Sequence, residues 1–378
     1  MKIGIDASRV VGEKTGFGVY AYQLIKHILK IDKKNHYILF CRSFRGNKND
    51  LFDFANNKNV TIKFFKIPGN ILRFSWGNLS FPTVENFIGC VDIFHHLDIP
   101  IPQKKGKRVI TAYDTAYLKY PESTEINPVY FKKMYKQLEG ADRVIAISNS
   151  CKNDIIDHYH VDKSRVKIVY PGVDRAHFCK DFSDRQLREC LIELNITKPL
   201  ILFVGTLEPR KNLVRLIEAY DILLQRHKVA HKLVLVGKKG WKYDEIFRVI
   251  RKKGLENSVV HIDYLPYESL SMLYKIADFF IYPSIYEGFG LPILEAISSG
   301  CPVISSKSSS MPEVLGDAGL YVDPYNIEDI YETIKRMIFD RGLKEGFVKK
   351  GKRQSEKFSW EKAAESTLEN YYEMVRDG

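Results

Sequence analysis

The sequence predicts an α/β protein built from two Rossmann-like domains with parallel sheets. Three observations support this prediction: a length of 378 residues, an alternation of short apolar runs with longer amphipathic stretches, and the repetition of that alternation in both halves. A chain of this length is too long for one core and suits two domains. Strands that alternate with helices are typical of parallel sheets covered on both faces. Two such series in tandem therefore indicate two Rossmann-like domains.

Seven apolar runs in the first half and six in the second are interpreted as strands. Amphipathic stretches between them, such as Gly18–Leu29, Leu213–Arg226 and Glu268–Ile276, are predicted to be helices, and a last helix is expected near Trp360–Val375. The predicted strands are, in order, KIGIDAS, HYILFC, VTIKFF, DIFHHL, KRVITAYD, RVIAIS, VKIVYPG, LILFVG, KLVLVG, VVHIDYL, DFFIYPS, PVISS and GLYVDP.

The boundary between the domains is predicted in the polar stretch RAHFCKDFSDRQ, which follows YPGVD. This gives domains of residues 1–175 and 176–360, followed by the last helix at 361–378. Neither domain has a G-x-G-x-x-G motif after its first strand, which weakens an interpretation as a dehydrogenase, and no Walker loop is present.

The composition is that of a soluble globular protein, with 45% apolar and 28% charged residues. No apolar run approaches the ~20 residues of a membrane span, and the N-terminus enters a strand-like segment without a secretory signal. The six cysteines form no C-x-x-C pair and no zinc-type spacing with histidine. Isolated cysteines without a signal predict a cytoplasmic protein.

The net charge of +12 lies entirely in the first half, where residues 1–180 hold 29 Lys and Arg against 17 Asp and Glu. Residues 181–378 hold 29 of each kind. A basic half suggests an anionic partner, which is a membrane surface, a nucleic acid or a phosphorylated substrate. A basic surface that serves only solubility is the alternative.

The stretch LILFVGTLEPRKNL places two adjacent cations, Arg210 and Lys211, after a buried strand and before a helix. Ligands of parallel α/β sheets bind outside the carboxyl ends of the strands. Two cations at that position suit a diphosphate, because Arg bonds bidentately and Lys adds a point charge. The alternative is a solvated loop in which Asn212 caps the helix.

The stretch YEGFGLPILEA places Glu287 and Glu295 on either side of a glycine turn. Gly288 and Gly290 give the backbone freedom, and Pro292 fits the first turn of the helix that follows. Free amides at this helix N-terminus predict an anion site, while carboxylates bind sugar hydroxyls well. The alternative for Glu295 is that it only answers the helix dipole.

These residues carry a resemblance to glycosyltransferase family 4, which has the GT-B fold. YPSIYEGFGLPILEAISSGCPVISSKSSSMPEVLGDAGLYVDP resembles the family's donor-site signature, and FVGTLEPRKN resembles its phosphate-binding loop. KIVYPGVDRAHF resembles the link into the second domain, TGFGVYAYQL the glycine loop of the first domain, and FSWEKAAESTLENYY the C-terminal helix. The match covers nearly the whole second domain and scattered parts of the first.

The resemblance implies two domains that face each other across a cleft, with the acceptor bound by residues 1–175 and the donor by 176–360. The helix at 361–378 would pack back on the first domain. The implied reaction is a retaining transfer of a hexose from a nucleotide-sugar, with no metal and no cofactor. Glu287 is then expected to contact the donor sugar as a catalytic residue, and Glu295 the ribose. The other implied donor-binding residues are Arg210, Lys211, Gly288, Phe289, Gly290, Leu291, Gly16, Gly18 and, in the base pocket, Leu265.

The sequence departs from the family after the strand RVIT, where many relatives carry His-Asp and this chain carries Tyr113-Asp114. If the family's histidine orients the donor sugar, one alternative is that Tyr113 does so in another way, and the other is that Tyr113 has no such role. Asp114 is a second catalytic candidate that could equally cap a turn. His95 and His96, at another strand end, are candidates for contact with the acceptor, and a structural role is the alternative.

Two segments of the basic half mix aromatic residues with cations, which suits a membrane interface. They are Ile71–Pro82 and Pro128–Leu138. Two interpretations stay open: peripheral binding to the inner face of the plasma membrane, which the charge asymmetry also suggests, and ordinary core packing, which better explains each segment alone. The residues concerned are Arg73, Phe74, Trp76, Leu79 and Phe81 in the first segment, and Tyr130, Phe131, Lys132, Lys133, Met134 and Lys136 in the second.

The favoured function is the transfer of mannose from GDP-mannose to a growing, lipid-linked surface glycan. A UDP- or dTDP-sugar donor with a soluble acceptor is an alternative, and so is a catalytically silent GT-B scaffold that binds membrane or sugar. A nucleic-acid partner is not expected, because charge alone suggests it and no nucleic-acid motif is present.

Overall fold

The computed structural model describes residues 1–12, 16–44, 46–68, 72, 75–76, 79–98, 100–123 and 138–376. The described residues form two compact units. The first unit contains residues 1–115, the described part of 127–172, and 359–376. The second contains residues 116–123 and 173–358.

The first unit is built on a seven-stranded sheet with the strand order β3-β2-β1-β4-β5-β6-β7. All neighbouring strands in it are parallel. The central strands are almost wholly buried, because helices cover the sheet on both faces. The strands are β1 (Lys2–Asp6), β2 (His36–Arg42), β3 (Val60–Phe65), β4 (Ile93–His96), β5 (Lys107–Ala112), β6 (Arg143–Ala146) and β7 (Val166–Ile168).

The second unit is built on a six-stranded sheet, again parallel throughout, with the order β10-β9-β8-β11-β12-β13. The ends of two strands approach closely: a Cβ on Gly237 would lie 2.1 Å from the Gly205 carbonyl oxygen, so glycine is required there. The strands are β8 (Leu200–Val204), β9 (Lys232–Val236), β10 (Val259–Ile262), β11 (Phe279–Tyr282), β12 (Val303–Ser306) and β13 (Gly319–Val322).

The helices of the described residues are numbered here in chain order. In the first unit they are α1 (Gly16–Ile31), α2 (Phe52–Ala55), α3 (Val84–Ile88), α5 (Asn149–Tyr159) and α15 (Trp360–Arg376). In the second unit they are α4 (Ala116–Lys119), α6 (Arg175–Phe178), α7 (Asp184–Glu193), α8 (Leu213–Arg226), α9 (Asp244–Lys252), α10 (Tyr267–Ile276), α11 (Leu291–Ser298), α12 (Met311–Leu315), α13 (Ile327–Phe339) and α14 (Arg341–Ser355).

The prediction of two Rossmann-like α/β halves is confirmed. Every strand of the structure lies inside a predicted strand except β2, which extends one residue beyond HYILFC, to Arg42. The helix predicted over Leu213–Arg226 has the same bounds in the structure, and the one predicted from Glu268 begins one residue earlier. These elements were predictable because buried parallel strands are continuous apolar runs, while helices that cover a sheet are amphipathic.

The chain passes from the first unit to the second between Gly172 and Val173, and returns between Phe358 and Ser359. The polar stretch that was predicted to hold the boundary folds as α6 and the start of α7, within the second unit. Phe178 anchors α6, since its buried ring packs against Tyr267 and Tyr274 of α10.

The last helix, α15, belongs to the first unit and packs against α1. The ring of Trp360, at its first residue, lies edge-on to the ring of Tyr20, with centroids 5.6 Å apart. Tyr20 in turn lies edge-on to Tyr113, and Tyr113 contacts Phe17. Through these four ring contacts, α1 and α15 pack against each other and against the residue that follows β5.

The segments predicted to face a membrane are only partly described. Arg73, Phe74 and the whole lysine-rich cluster of residues 130–136 lie outside the described residues. Of the rest, Trp76 is buried, while Leu79 and Phe81 are exposed. Within the described ranges, no helix is both long and apolar enough to span a bilayer.

Candidate active site

The glycine turn of the second unit connects the end of β11 to the start of α11. Gly290 precedes the helix with a φ of +103°, a left-handed conformation that strongly favours glycine. Pro292 lies in the first helical turn, as predicted, where no amide hydrogen is needed. The amides of Ile293 and Leu294 donate to the Gly290 carbonyl. The start of α11 therefore favours an anion through the helix dipole and the amide of Leu291.

A row of serines after β12 fixes the backbone of this turn. The Ser309 hydroxyl accepts a hydrogen bond from the Glu287 amide at 2.9 Å. The Ser310 hydroxyl donates to the carbonyls of Glu287 and Phe289 at 2.8 and 2.9 Å. The Ser308 hydroxyl donates to the Ile285 carbonyl. The turn is therefore fixed by side chains of the segment that directly follows β12, so the position of Glu287 is set by the end of a neighbouring strand.

The loop after β8 is joined to the same turn. Pro209–Lys211 forms one turn of 3-10 helix, and the Ile285 amide donates to the Arg210 carbonyl at 2.9 Å. Asn212 does not cap α8 with its side chain, contrary to the alternative suggested by the sequence. Its amide group instead donates to the carbonyls of Pro283 and Pro324, which ties three strand ends together.

Arg210, Lys211 and Glu287 meet in one buried ion cluster. Glu287 Oε1 accepts from Lys211 Nζ at 2.6 Å, and Oε2 accepts from the Arg210 guanidinium at 2.8 Å. Lys211 Nζ also donates to the Tyr282 hydroxyl at 2.7 Å. The Arg210 guanidinium further donates to Glu208 at 2.7 Å and to a backbone carbonyl of the turn. Lys211 is thus buried and Arg210 largely so, and both are held by hydrogen bonds, which excludes the alternative of a solvated loop.

The pKa values describe a charged cluster. Burial alone would raise the pKa of Glu287, but the charges of Arg210 and Lys211 hold it at about 2. Burial lowers the pKa of the Lys211 ammonium, and Arg210 adds to this effect. Lys211 nevertheless donates to a carboxylate and a hydroxyl, which stabilises its protonated form. Glu287 is therefore fully ionised at neutral pH, between two positive charges.

Glu295 is buried in a different environment, on α11. Its Oε2 accepts a hydrogen bond from the Tyr274 hydroxyl at 3.2 Å. Burial raises the pKa of Glu295 to about 8, and the bond from Tyr274 offsets this only in part. Glu295 is the fifth residue of α11 and lies outside its first turn, so the alternative that it only answers the helix dipole is not supported. A ligand that donates hydrogen bonds to Glu295 would favour its ionised form instead.

The remaining donor-side candidates are distributed between the two units. Leu265 is half-buried in the loop between β10 and α10. The resemblance implies a glycine loop with Gly16 and Gly18, whereas the helical pattern begins at Gly18; in the structure they are the first and third residues of α1, with Gly16 exposed and Gly18 buried. The structure therefore brings together Arg210, Lys211 and the residues of the glycine turn, and places Glu295 in the helix that follows.

His95 and His96 are fully buried and have structural roles. His95 Nδ1 lies 2.5 Å from the Tyr371 hydroxyl and Nε2 lies 2.7 Å from the Thr111 hydroxyl. His96 accepts from a backbone amide and lies 3.1 Å from the Gln103 side chain. Burial lowers the pKa of both rings to about 3, so both are neutral. Because both nitrogens of each ring are bonded inside the first unit, the structure favours the structural alternative, and contact with the acceptor stays an untested prediction.

Tyr113 is also bonded within the first unit. Its hydroxyl donates to the Leu97 carbonyl at 2.8 Å, and its ring packs against Phe17 and Tyr20. Asp114 follows directly and is half-buried. Tyr113 thus serves the packing of the first unit, whereas the role of Asp114 stays a prediction.

Several residues of the site were not predicted from the sequence. Tyr282 and Glu208 complete the bonding of the two cations, and Tyr274 bonds to Glu295. The only available signal was the serine-rich run SSKSSS, which follows the predicted strand PVISS and supplies the side chains that fix the turn.

Comparisons of the sequence with known proteins identify the family to which this site belongs. Residues 15–177 match the family described as Glycosyltransferase Family 4, and residues 192–354 match Glycosyl transferases group 1. The chain is also 32% identical over 285 residues to O-antigen chain mannosyltransferase B from Escherichia coli, a match that covers 74% of each protein. The chain belongs to glycosyltransferase family 4.

This family 4 enzyme is a nucleotide-sugar-dependent glycosyltransferase. It is also 27% identical over 286 residues to the serotype-specific mannosyltransferase WbdA of Escherichia coli, but spans only 35% of that longer protein. Its fold is of the GT-B class. Among solved structures, the sucrose-phosphate synthase from Thermosynechococcus elongatus matches along 100% of both chains with a TM-score of 0.80 at 20% identity, which shows a shared fold.

Proposed function

We propose that this enzyme transfers mannose, with retention, from GDP-mannose to a growing lipid-linked surface glycan. The observation that carries the proposal is the ion cluster of Arg210, Lys211 and Glu287 beside the N-terminus of α11. The choice of mannose is supported by the similarity to O-antigen chain mannosyltransferase B. The proposal of a lipid-linked acceptor is supported by the positive charge of the first half.

The chemistry of the cluster suits the departure of a sugar from a diphosphate. As the bond between the sugar carbon and the phosphate oxygen breaks, negative charge grows on the diphosphate and positive charge on the sugar ring. Arg210, Lys211 and the dipole at the N-terminus of α11 stabilise the negative charge. Glu287, ionised at neutral pH and bonded to both cations, stabilises the positive charge on the sugar ring. The oxygen of the acceptor hydroxyl then forms the new bond on the same face of the carbon, and the hydroxyl proton passes to the departing diphosphate.

When the donor binds, the ion cluster gains bonds to the diphosphate and keeps the contact between Lys211 and Glu287. The Lys211 ammonium has three N–H donors, and Tyr282 and Glu287 use two of them. Lys211 can therefore bond to a phosphate oxygen and keep its contact with Glu287. Glu295 takes the ribose hydroxyls and Leu265 lines the base pocket. In this way the two acids and the anionic ligand occupy one site, because each acid faces an uncharged part of the ligand.

The experiment that tests the donor is a thermal-shift panel of GDP-, UDP- and dTDP-linked sugars, followed by a transfer assay. A ligand that binds the native state raises its melting temperature. We expect the largest shift with GDP-mannose, and a Glu287→Gln variant that keeps the shift but loses transfer. A larger shift with a UDP- or dTDP-sugar would favour the alternative donors. No shift with any nucleotide would favour a silent scaffold.

We propose that the transfer needs no metal ion, since the two cations and the helix dipole supply the positive charge. Treatment with EDTA should then leave the transfer rate unchanged. A loss of activity that Mg²⁺ or Mn²⁺ restores would contradict this.

We also propose that the enzyme works at the cytoplasmic face of the membrane, where its basic half meets anionic lipid. It should sediment with vesicles that contain phosphatidylglycerol at low salt and be released at high salt. Equal binding to vesicles of neutral lipid, or none to either, would exclude this and favour a soluble acceptor.

A further inference from the structure

Four charged side chains form a second cluster, at the edge of the first sheet where its strands end. Asp6 and Arg42 are the last residues of β1 and β2, Asp98 lies two residues after β4, and Arg9 lies in the 3-10 turn that follows β1. Ligands of parallel α/β sheets bind at this edge. None of these four residues was singled out by the sequence analysis.

Asp98 joins the two arginines. Its Oδ1 accepts from Arg9 Nε at 2.7 Å, and its Oδ2 accepts from the Arg42 guanidinium at 3.0 Å. With Asp6 ionised, the cluster holds two positive and two negative charges and is neutral overall. This net charge equals that of the cluster of Arg210, Lys211, Glu208 and Glu287. The difference is that a buried carboxylate oxygen of Asp6 has no partner here among the described residues, so it would repel a phosphate group but accept a hydrogen bond from a hydroxyl. The cluster therefore suits an uncharged ligand.

Asp6 keeps hydrogen-bonding capacity that the protein does not use. It is fully buried, and its Oδ1 accepts from the Ser8 amide at 2.9 Å. Among the described residues, Asp6 Oδ2 and Arg42 Nε have no hydrogen-bond partner. Buried polar atoms are almost always bonded, so each exception needs an explanation. An unused acceptor and an unused donor in one cluster match a sugar hydroxyl, which can both donate and accept.

An aromatic residue and the solvent border this cluster. The Arg42 guanidinium lies over the ring of Trp76, 4.8 Å from its centroid. The indole N–H of Trp76 donates to the Pro82 carbonyl, next to the exposed ring of Phe81. Arg9 opens the cluster on another side, since 47% of its side chain is exposed. Apolar rings beside polar groups suit a sugar, which has both apolar C–H faces and hydroxyl edges.

We propose that Asp6, Arg9, Arg42 and Asp98 bind an uncharged sugar residue. Asp6 Oδ2 accepts a hydrogen bond from a ring hydroxyl, Arg42 Nε donates to one, and Asp98 positions both arginines. That this sugar belongs to the acceptor glycan rests on the function proposed above; the binding of a sugar does not.

The direct test uses methyl α-D-mannopyranoside as the probe, and saturation-transfer difference NMR measures its binding. We expect the wild type to bind it and Asp6→Asn to weaken binding about tenfold or more, because a bond to a charged acceptor is lost. GDP should raise the melting temperature of both proteins equally, since Asp6 is not part of the second unit. Unchanged binding by Asp6→Asn, or inorganic phosphate that displaces the mannoside, would overturn the proposal.

A second variant keeps the test valid if Asp6→Asn folds poorly. Arg9→Ala removes a half-exposed side chain and leaves Asp98 held by Arg42 alone, so it should weaken mannoside binding several-fold. The matched control is Arg226→Ala, which removes a similarly exposed arginine paired with Glu328 in the second unit. Equal mannoside binding by the two variants would contradict the proposal.

Kinetics separate this inference from the proposed function. In transfer assays with a mannoside acceptor, Arg9→Ala should raise the KM for the acceptor and leave the KM for the donor unchanged. If the wild type transfers no sugar while mannoside binding still depends on Asp6, the proposed function fails and the sugar site stands. If transfer occurs with an unchanged acceptor KM in both variants, the sugar site fails.

Discussion

The carboxyl edges of the two sheets both bury polar side chains, but they satisfy them in different ways. In the first unit His95 and Tyr113 are neutral, and each bonds to groups of the same unit. In the second unit Arg210, Lys211 and Glu287 keep full charges against one another. Buried ion clusters add little stability over an apolar replacement. Charged side chains that are buried at a strand end therefore indicate ligand binding. Neutral side chains whose polar atoms are all hydrogen-bonded within the unit indicate packing.

The comparison also explains why Asp6 differs from its neighbours at the first edge. His95, His96 and Tyr113 use their polar atoms inside the unit, but Asp6 Oδ2 does not. Position at a strand end is thus shared by functional and structural residues. What separates them is whether charge or hydrogen-bonding capacity is left for a ligand.

The largest effect on the transfer rate is expected from Lys211→Met, at the carboxyl edge of the sheet in the second unit (the second edge). The change keeps the size of the side chain and removes the charge, so one donor to the leaving diphosphate is lost. We expect the transfer rate to fall about 10²- to 10³-fold, by analogy with the loss of other transition-state donors. The measurement is the transfer rate under saturating donor, together with the melting temperature.

The matched control is Lys335→Met, which removes an ammonium paired with Glu332 on the surface of α13. Exposed pairs of this kind contribute little, so the control should retain full activity. If Lys211→Met keeps more than a tenth of the wild-type rate, the assignment of the diphosphate site is wrong.

The second prediction concerns pH and Glu295. Its pKa is about 8 in the folded protein and 4.5 without burial, so between these values the folded state holds a proton that the unfolded state has released. Rising pH therefore removes stability over this window. Glu295→Gln has no such group, so its melting temperature should exceed that of the wild type by a few degrees at pH 8. The difference should shrink towards pH 5.

Nucleotide binding should also change the protonation of Glu295. If ribose hydroxyls donate to Glu295, they favour its ionised form, and GDP binding at pH 7 releases a proton from the wild type. Calorimetry in buffers with different ionisation enthalpies measures that proton. Equal release by Glu295→Gln, or none by the wild type, would show that Glu295 does not meet the ribose in its charged form.

The third prediction moves to the first edge and concerns stability. His95→Ala leaves a cavity and two buried hydroxyls, those of Tyr371 and Thr111, without their partner. We expect a loss of about 2–4 kcal/mol in the free energy of unfolding and an unchanged transfer rate per folded molecule. His36→Ala is the control, because His36 makes a similar bond to a threonine, Thr61, in an exposed position. A loss of activity without a loss of stability would favour His95 as an acceptor-side candidate.

Sequence patterns located the elements and the strand ends, but not the contacts between side chains. Arg210, Lys211 and Glu287 were each placed at a strand end, yet their pairing spans 76 or 77 residues of sequence and depends on the order of strands in the sheet. The neutral state of Glu295 depends on burial beside Tyr274, from another helix. Two histidines after an apolar run look alike whether they bind a ligand or fill a core. Only their partners decide between these roles.

The smallest effect is expected from Tyr113→Phe, which addresses the position where relatives carry histidine. The change removes the bond to the Leu97 carbonyl and keeps the ring against Phe17 and Tyr20. Leaving that buried carbonyl without its donor should cost about 1 kcal/mol of stability, with donor affinity and transfer rate unchanged. Tyr113→Ala, which also removes the ring, should cost several times more. A tenfold fall in transfer by Tyr113→Phe would instead mean that the hydroxyl leaves Leu97 to contact the donor sugar. In that case the first edge would contribute to catalysis in the same way as the second.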